Sequence, residues 1–446
     1  MSGIARLLLA EGESVSGSDT QDNLLLQRIR VLGGQVWIGH SASHVAHTDR
    51  VIYSSSISPE NPELVAARNR NLSVLHRGQM IAQLVADRRA IAVAGAHGKS
   101  TTTAMAAQLL LAAGLDPTVI LGAEVEALGG NARLGKGRYT VVEADESDGS
   151  LLWLRPSIAI LTNLDEEHLD YFRNAGEILE TIAAFADRVE PNGCLIGCTD
   201  NLLLRKILAA SHRKKLTYGL TAQADLTATE VQLIAGGSRF RCVRSGRMLG
   251  MVQLQVPGIH NVLNSLAAIG LSQAMGIDFR TARTALGNFS GAKRRFQIQG
   301  EVDGVMVVQD YGHHPAEIFS TLEAARSWPG RRIRCVFQPH RYTRTRYLFH
   351  KFSTCFRPAD ELILLPIYAA SEEPIPGITS EALLEAIQTS SRIPVSLQSP
   401  EGVVQKLLAD SRTGDLILFL GAGSVGGLAG KLVEALRESH AAAAHA

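Results

Sequence analysis

Apolar and polar residues alternate along much of the chain in a pattern that predicts short buried strands separated by amphipathic helices. Near the N-terminus the predicted order is a strand ending at Asp19, a helix over about 23–32, strands over 35–38 and 51–57, and a helix over about 62–69. After Phe296 the alternation resumes, with strands predicted at 305–309, 333–338, 362–366, 394–397 and 416–420. Strand–helix alternation of this kind indicates parallel sheets. The chain is therefore expected to adopt an α/β fold.

Residues 89–111, R-A-I-A-V-A-G-A-H-G-K-S-T-T-T-A-M-A-A-Q-L-L-L, combine a buried strand, a glycine-containing loop and a run of helix formers. This order, with Lys99 and Ser100 at the start of the helix, is typical of a phosphate-binding P-loop. Glycines let backbone N–H groups approach phosphates, and the helix N-terminus adds partial positive charge. Lys99 is expected to reach the β/γ-phosphates, and the Ser100 hydroxyl to ligate Mg²⁺. Because Val93 stands where the usual pattern has its first glycine, the alternative is a turn with an incidental Lys-Ser pair.

Two later strands end in acidic residues and would deliver them to the same edge of a parallel sheet. Y-T-V-V-E-A-D-E-S-D contains Glu143, and S-I-A-I-L-T-N-L-D-E-E-H-L-D contains His168. At that edge both side chains are candidates for binding Mg²⁺ or Mn²⁺ beside the P-loop. The alternative for His168 is a structural histidine. The other acids of these motifs are, one by one, more typical of solvated loops: Asp145, Glu146, Asp148, Glu166 and Glu167.

Polar residues also follow strands in the N-terminal region. Asp19 ends the first predicted strand, and Ser54–Ser56 end a later one. Because ligands of parallel sheets bind at the carboxyl ends of strands, both segments are placed at a binding edge. Asp19 is expected either to bond a nucleotide ribose or to cap a helix or turn.

Three segments in the second half of the chain carry further candidate ligand contacts. In P-G-I-H-N-V-L-N, the residues His260, Asn261 and Asn264 either contact a nucleoside or cap a helix. The runs D-Y-G-H-H-P (310–315) and P-H-R-Y-T-R-T-R (339–346) follow two strands of a predicted doubly wound sheet. An arginine-rich loop at that edge is typical of carboxylate or phosphate recognition.

Composition narrows the class of protein without pointing to a macromolecular partner. The formal net charge is +1 over 446 residues, so no global field favours nucleic acid or an anionic membrane. The sequence lacks an apolar run of the ~18 residues that a membrane span needs, and its start lacks the pattern of a signal peptide. The five cysteines predict buried thiols rather than a zinc site. A cytoplasmic protein of about three domains is expected.

Seven motifs occur in the order in which Mur ligases carry them: G-A-H-G-K-S-T-T, V-E-A-D-E-S-D, T-N-L-D-E-E-H-L-D, P-G-I-H-N-V-L-N, K-R-R-F, D-Y-G-H-H-P and Q-P-H-R-Y-T-R-T-R. The chain therefore resembles the Mur ligase family over essentially its whole length. The resemblance implies a UDP-sugar-binding domain over 1–86, a central ATP-binding P-loop domain over 87–295 and a C-terminal amino-acid-binding domain over 296–446. The outer two are expected to be Rossmann-like, and the first to lack its initial strand and glycine-rich loop, as in a truncated chain.

The activity that the resemblance implies is that of an ATP-dependent ligase of peptidoglycan biosynthesis. The last two motifs are similar to those of the member that joins L-alanine to the carboxylate of UDP-N-acetylmuramate through an acyl phosphate. ATP and Mg²⁺ (or Mn²⁺) are the implied cofactors, and a monomer or homodimer is implied. Two alternatives remain: a ligase that attaches a recycled peptide to the same sugar, and a nucleotide-binding protein that is inactive because it lacks the N-terminal sugar-binding loop.

The resemblance also implies roles for individual residues. Catalytic roles are implied for Lys99, Glu143, His168, His313 and Arg341, and metal binding for Ser100, Glu143 and His168. Contacts with ATP are implied for Gly95, Ala96, His97, Gly98, Lys99, Ser100, Thr101, His260, Asn261, Asn264, Arg295 and Asp310. Contacts with the other substrates are implied for Asp19, Ser55, Ser56, Asn163, Tyr311, His313, His340, Arg341 and Arg344. Of these, Arg341 or Arg344 would hold the L-alanine carboxylate, and His313 or His340 would either take the amine proton or only position the amine.

Overall fold

The structure is a computed structural model that describes residues 1–165, 172, 174–221 and 223–444. Its strands form a 10-stranded sheet, a 6-stranded sheet and two small 2-stranded sheets. Within these described residues, no helix has both the length and the apolar character that crossing a bilayer requires. The five cysteines are buried free thiols, as the sequence predicted.

The N-terminal region contains two parallel strand pairs with helices packed around them. Its elements are α1 (Ser2–Ala10), β1 (Ser16–Asp19), α2 (Leu24–Val31), β2 (Gln35–Ile38), β3 (Arg50–Tyr53), α3 (Pro62–Asn69), β4 (Ser73–His76) and α4 (Arg77–Val85). Asn23 and Asn61 begin α2 and α3 because their side chains accept hydrogen bonds from backbone N–H groups of the first turn. Both strand pairs are parallel, as the alternation predicted. β1 pairs only with β2 and β3 only with β4, so the described strands form two separate sheets.

The middle region is built on the 10-stranded sheet. Its elements are β5 (Arg89–Ala94), α5 (Lys99–Ala112), β6 (Thr118–Val125), β7 (Gly130–Arg133), β8 (Tyr139–Glu143), β9 (Ile158–Leu161), α6 (Ala175–Asp187), β10 (Cys194–Cys198), α7 (Leu202–Ala210), β11 (Lys214–Gly219), β12 (Leu226–Ile234), β13 (Gly237–Arg244), β14 (Arg247–Leu254), α8 (Ile259–Met275) and α9 (Phe279–Gly287). The strand order is β14-β13-β12-β11-β10-β9-β5-β8-β6-β7.

Strand β5 lies between β8 and β9, and the loop that follows it is the centre of the candidate site. It pairs in parallel with β8 on one side and β9 on the other. Residues 91–94 are completely buried, which explains why β5 reads as a continuous apolar run. Its carboxyl end therefore lies beside the carboxyl ends of β8 and β9.

The C-terminal region is the expected doubly wound sheet. Its elements are β15 (Gln297–Val302), β16 (Val305–Asp310), α10 (Pro315–Ala325), β17 (Arg332–Phe337), α11 (Tyr342–Tyr347), α12 (Phe349–Phe352), β18 (Glu361–Leu364), α13 (Ser380–Ser390), β19 (Val395–Leu397), α14 (Pro400–Asp410), β20 (Asp415–Leu420) and α15 (Gly426–Ala444). The order is β15-β16-β20-β17-β18-β19, and apolar clusters cover both faces. The five predicted strands are confirmed, and β15 is an additional antiparallel edge strand.

A buried cluster of charges stabilises this last sheet. The Arg334 side chain on β17 is 1% exposed, and its Nε lies 2.8 Å from Glu361 Oε2 on β18. The same guanidinium lies 2.8 Å from Asp410 Oδ1 and 3.3 Å from Asp415 Oδ2. A buried guanidinium with three carboxylate partners is well compensated, and the carboxylates depend on it in turn.

We expect Arg334→Met to lower the free energy of unfolding by about 3–5 kcal/mol, because it leaves Asp415 buried without its guanidinium partner and leaves Glu361 with its more exposed partners, Arg332 and Lys406. Urea unfolding followed by circular dichroism measures the change. The control is Arg326→Met, which removes an exposed pair with Asp360 and should cost about 0–1 kcal/mol. Equal effects of the two substitutions would contradict the view that the buried Arg334 cluster stabilises the C-terminal sheet.

Candidate active site

The P-loop between β5 and α5 has a backbone shape that only glycine adopts easily at two positions. Gly95 has φ +130° and Gly98 has φ +79°. A side chain at Gly95 would overlap Thr162 Oγ1, and one at Gly98 would overlap Asn264 Oδ1. Both glycines of the sequence motif are therefore required by conformation and by close packing.

The segment after β9 holds the loop in this shape. Asn163 accepts a hydrogen bond from the His97 backbone N–H through Oδ1 (2.8 Å) and donates one to the His97 carbonyl through Nδ2 (3.0 Å). The Ala96 N–H donates to the Asn163 carbonyl (3.0 Å), and Thr162 Oγ1 donates to the His97 carbonyl (2.7 Å). Asn163, for which a substrate contact was expected, thus lies against the P-loop backbone.

Lys99 lies at the mouth of this loop. Its Nζ donates to the carbonyls of Gly95 (2.7 Å) and Ala96 (3.0 Å) and lies 2.6 Å from Glu146 Oε1. The expectation that Glu146 is solvated was wrong, because the residue is only 3% exposed and forms an ion pair with Lys99. The ammonium group and a buried carboxylate therefore sit side by side where a nucleotide phosphate is expected.

Two of the three predicted metal ligands are in direct contact. Ser100 Oγ donates to Glu143 Oε1 (2.9 Å), and the Gly122 N–H donates to Glu143 Oε2 (2.7 Å). A hydroxyl and a carboxylate are hard oxygen ligands of the kind that Mg²⁺ prefers, so the donor set fits this ion. The third predicted ligand, His168, lies outside the described residues, as do Glu166 and Glu167.

The start of α8 packs against the P-loop helix. Asn264 Oδ1 accepts from Thr102 Oγ1 (3.1 Å), and Asn264 Nδ2 donates to Asn261 Oδ1 (3.1 Å). Asn261 Nδ2 donates to the Pro257 carbonyl (2.7 Å). Burial lowers the pKa of the neighbouring His260 to about 4, so this imidazole is neutral at pH 7. These side chains hold the start of α8 against the P-loop helix, and the expected nucleoside contact stays a prediction.

Thr101, for which a contact with ATP was expected, is buried in the first turn of α5.

The segment before β15 and the end of β16 form a junction that gathers arginine, tyrosine and aspartate. The Arg294 and Arg295 guanidinium carbons lie 4.6 and 5.3 Å from the centre of the Tyr311 ring. Asp310 accepts from the backbone N–H groups of Phe296 (2.7 Å) and Gly312 (2.6 Å). Burial raises the pKa of Asp310. Asp310 thereby fixes the turns that present Arg295 and Tyr311.

Glu317, in the first turn of α10, links this junction to the P-loop. Its Oε1 lies 3.5 Å from Arg295 Nη1 and 3.4 Å from His97 Nδ1. Its Oε2 accepts from the backbone N–H groups of His313 (3.2 Å) and His314 (3.4 Å). Burial alone would raise the pKa of Glu317, but the neighbouring His313, His97 and Arg295 hold it well below its ordinary value.

Histidines and arginines from the two C-terminal loops meet near one another. The His313 and His340 rings are 6.1 Å apart, and Arg344 Nη1 donates to His340 Nδ1 (3.0 Å). Tyr368 stacks on His340 at 5.6 Å, and its carbonyl accepts from the Arg341 N–H (2.8 Å). Burial lowers the pKa of His313 to about 3 and that of His340 to about 4. Both imidazoles are therefore neutral at pH 7.

Of the three N-terminal residues predicted to contact the UDP-sugar, one is hydrogen-bonded to the middle region and two are bonded within their own turns. Ser55 Oγ is hydrogen-bonded to His76 Nε2 (2.9 Å) and to Asp148 of the middle region. The hydrogen bonds that the described residues make with the Asp19 carboxylate and the Ser56 side chain stay within their own turns. Ser55 is thus joined to the middle region, whereas Asp19 and Ser56 are not joined to it by these bonds.

Family models match three consecutive parts of the chain. The model described as "Mur ligase family, catalytic domain" matches residues 1–89, "Mur ligase middle domain" matches 93–272, and "Mur ligase, glutamate ligase domain" matches 294–423. A protein of Anaeromyxobacter sp. (strain Fw109-5) named UDP-N-acetylmuramate–L-alanine ligase is 45% identical over 95% of this chain and 93% of its own. One of Geotalea daltonii with the same name is 44% identical over 98% of this chain and 96% of its own. The chain belongs to the Mur ligase family.

Solved structures of Mur ligases share the fold. UDP-N-acetylmuramate–alanine ligase of Thermotoga maritima matches with a TM-score of 0.85 and 26% identity, over 98% of this chain and 97% of that one. A murein peptide ligase of Psychrobacter arcticus has a TM-score of 0.72 and 24% identity, over 98% and 96% of the two chains. The predicted family, the three-domain α/β fold and the class of ATP-dependent amide-forming ligase are confirmed.

Three residues at the site of this Mur ligase were not singled out in the sequence. Glu146 stands inside a motif that was recognised, but its burial against Lys99 is a tertiary feature. Glu317 has a local signal, since His314-Pro-Ala-Glu has the spacing of a capping box. Tyr368 has none, because it reaches His340 from a loop after β18.

We expect His260→Gln to make the stability of this Mur ligase less sensitive to acid. The pKa of His260 is about 4 in the folded chain against 6.5 as its ordinary value, so the unfolded chain takes up the proton first. The stability associated with the neutral ring is present above about pH 6.5 and is lost as the pH falls towards about 4. Thermal unfolding from neutral pH to about pH 5 measures the slope.

The matched control for this experiment is His212→Gln, because His212 is an exposed residue. Its melting temperature should depend on pH as that of the unmodified chain does. An unchanged slope in His260→Gln would contradict the view that a buried neutral imidazole contributes to acid sensitivity.

Proposed function

We propose that this protein joins L-alanine to the carboxylate of UDP-N-acetylmuramate in an ATP-dependent reaction of peptidoglycan biosynthesis. One observation carries the proposal: the P-loop touches the D-Y-G-H-H-P turn of the C-terminal sheet. His97 Nδ1 lies 3.4 Å from Glu317, and the His97 and His314 rings are 4.7 Å apart. A phosphate-binding loop is thereby adjacent to a loop system that suits a carboxylate and an amine. The names of relatives that are 43–46% identical support the same reaction.

The first half of the proposed reaction activates the acid. A carboxylate is a poor acyl donor, so the terminal phosphoryl group of ATP is transferred to it, giving an acyl phosphate and ADP. Lys99 offsets the negative charge that accumulates when the two anions meet. We propose that Ser100, Glu143 and His168 hold Mg²⁺, which would supply further charge compensation. The first two are already in contact through a 2.9 Å hydrogen bond.

The second half forms the amide. The amine of L-alanine attacks the acyl carbon, the tetrahedral intermediate collapses, and inorganic phosphate leaves. We propose that Arg341 binds the L-alanine carboxylate, because its backbone is held beside His340 by the Tyr368 carbonyl (2.8 Å) and a guanidinium can bind a carboxylate through two parallel hydrogen bonds. His313 Nδ1 faces the Tyr311 carbonyl at 3.1 Å, which leaves Nε2 as its accepting nitrogen. A pKa of about 3 suits His313 to orienting the amine rather than to holding its proton.

The remaining assignments are proposals of the same kind. Boundaries at 86/87 and 295/296 are supported by the family matches, which end at 89, begin at 93 and begin again at 294. Asp19, Ser55 and Ser56 are proposed for the UDP-sugar. We propose that the enzyme works in the cytoplasm, where ATP is available, as a monomer or homodimer.

Release of inorganic phosphate tests the function. The assay contains the full chain, ATP, Mg²⁺ and UDP-N-acetylmuramate, with either L-alanine or a tripeptide as the amine. Phosphate release that requires L-alanine supports the proposal. Release with the tripeptide alone would favour the peptide-recycling reaction, a candidate because a murein peptide ligase shares the fold. Calorimetry that detects ATP binding but no UDP-sugar binding would favour an inactive nucleotide-binding protein.

We expect Lys99→Ala to reduce kcat by at least about 10²–10³-fold, because it removes a cation from the charge that develops on the transferred phosphoryl group. Steady-state phosphate release measures the loss. Lys206→Ala, on the exposed face of α7, is the control and should retain full turnover. Normal turnover in Lys99→Ala would remove the P-loop assignment.

We expect Arg341→Ala to raise the KM for L-alanine by about 10–100-fold, since a charge-assisted hydrogen bond contributes about 1.5–3 kcal/mol. The KM for ATP should stay as it is in the unmodified enzyme. Arg346→Ala is the control. Arg346 is an exposed arginine in α11, the helix that Arg341 precedes, and its guanidinium lies over the Tyr347 ring. If the KM for L-alanine does not change, the carboxylate is bound elsewhere.

A further inference from the structure

Two histidines and an aspartate converge where the middle and C-terminal regions meet. His97 belongs to the P-loop, Asp165 follows β9, and His314 precedes α10. One ligand atom from each side chain lies within 4.8 Å of the other two. This cluster is separate from the Ser100 and Glu143 oxygens that fit Mg²⁺.

The separations suit a first-row transition metal. Asp165 Oδ2 lies 3.2 Å from His97 Nε2 and 3.5 Å from His314 Nδ1. Ligands placed tetrahedrally at about 2.0–2.1 Å from a metal are roughly 3.3 Å apart, so both distances match such a site. Imidazole nitrogen with a carboxylate oxygen is a donor set for Zn²⁺, Co²⁺ or Ni²⁺ rather than for Mg²⁺.

The surroundings support the same interpretation. His97 Nδ1 lies 3.4 Å from Glu317 Oε1, which is the outer carboxylate that a metal-ligating histidine usually has. His314 is 1% exposed, and its Nε2 is buried with no hydrogen-bond partner among the residues described. Its Nδ1 accepts a 3.3 Å bond from the Ala316 N–H that caps α10, so a metal bound through Nδ1 would replace that bond, whereas one bound through Nε2 would leave it in place.

The other oxygen of the aspartate has a separate neighbour. Lys351 Nζ lies 3.7 Å from Asp165 Oδ1, whereas the two histidine nitrogens lie near Oδ2. Lys351 therefore balances part of the carboxylate charge while Oδ2 points between the two rings. The competing interpretation is a plain hydrogen bond from His97 to Asp165 without any metal.

We propose that His97, Asp165 and His314 form a binding site for a divalent transition metal, Zn²⁺ in the first instance, with its fourth position open to water or a phosphate oxygen. The site joins the P-loop to the turn before α10. A bound ion restrains these two segments against each other.

Co²⁺ is the probe, because its visible absorption reports four-coordinate nitrogen and oxygen ligation directly. The full chain is titrated without substrates in the presence of excess Mg²⁺, and Zn²⁺ is then measured by equilibrium dialysis. One equivalent of Co²⁺ with four-coordinate bands, displaced by Zn²⁺, is expected. Asp165→Asn and His314→Asn should each weaken binding by at least about tenfold. Asparagine is a preferred N-cap, so His314→Asn keeps the start of α10.

Two controls locate the metal. Glu143→Gln alters a predicted Mg²⁺ ligand, and His44→Asn alters a histidine beside Glu63 in the N-terminal region. Both should bind Co²⁺ as the unmodified chain does, and circular dichroism should show all four variants folded. No binding by the unmodified chain overturns the proposal. So does binding that survives in Asp165→Asn and His314→Asn, or binding that Glu143→Gln abolishes. Because the readout needs no substrate, it is independent of the ligase reaction.

Discussion

The structure depends on the position of β5 between β8 and β9. Parallel pairing aligns Val93 with Glu143 on one side and Ala94 with Leu161 on the other. The P-loop that follows β5 therefore meets the carboxylate at the end of β8 and the Thr162-Asn163 segment after β9. A one-residue shift in either register would turn these side chains to the opposite face of the sheet. The loop itself follows from its own sequence, whereas the side chains that surround it are brought there by three strands.

Charge pairing then connects the three regions around that loop. Arg77 of α4 pairs with Asp145 and Asp148, Lys99 pairs with Glu146, and Arg295 lies 3.5 Å from Glu317. Partly or fully buried charges need such partners, because an isolated one carries a large desolvation cost. The acids after β8, which resemble a solvated loop in sequence, therefore serve as the connection between the N-terminal region and the nucleotide loop.

What the sequence could predict was local. The P-loop, the helix over about 23–32 and the strand over 305–309 each follow from a run of neighbouring residues, and each is present. The missed features depend on distant parts of the chain. Glu146 is buried where it pairs with Lys99 at the start of α5, and β15 is an edge strand whose apolar pattern is weak. Tyr368 meets His340 because the two residues follow the neighbouring strands β18 and β17. Likewise, no local pattern distinguishes one N-terminal sheet from the two that are described.

The pKa values of the C-terminal histidines help to separate two roles that the sequence left open. A proton on an α-amino group has a reference pKa of about 8, whereas the pKa of His313 is about 3. Moving a proton from the first to the second is uphill by about 7 kcal/mol, at about 1.36 kcal/mol per unit. A neutral ring that accepts a hydrogen bond has no such cost. His313 is therefore better suited to orient the amine than to deprotonate its ammonium form. The amine attacks as the free base, and the nitrogen, made acidic by the new bond, then releases one of its own protons as the amide forms.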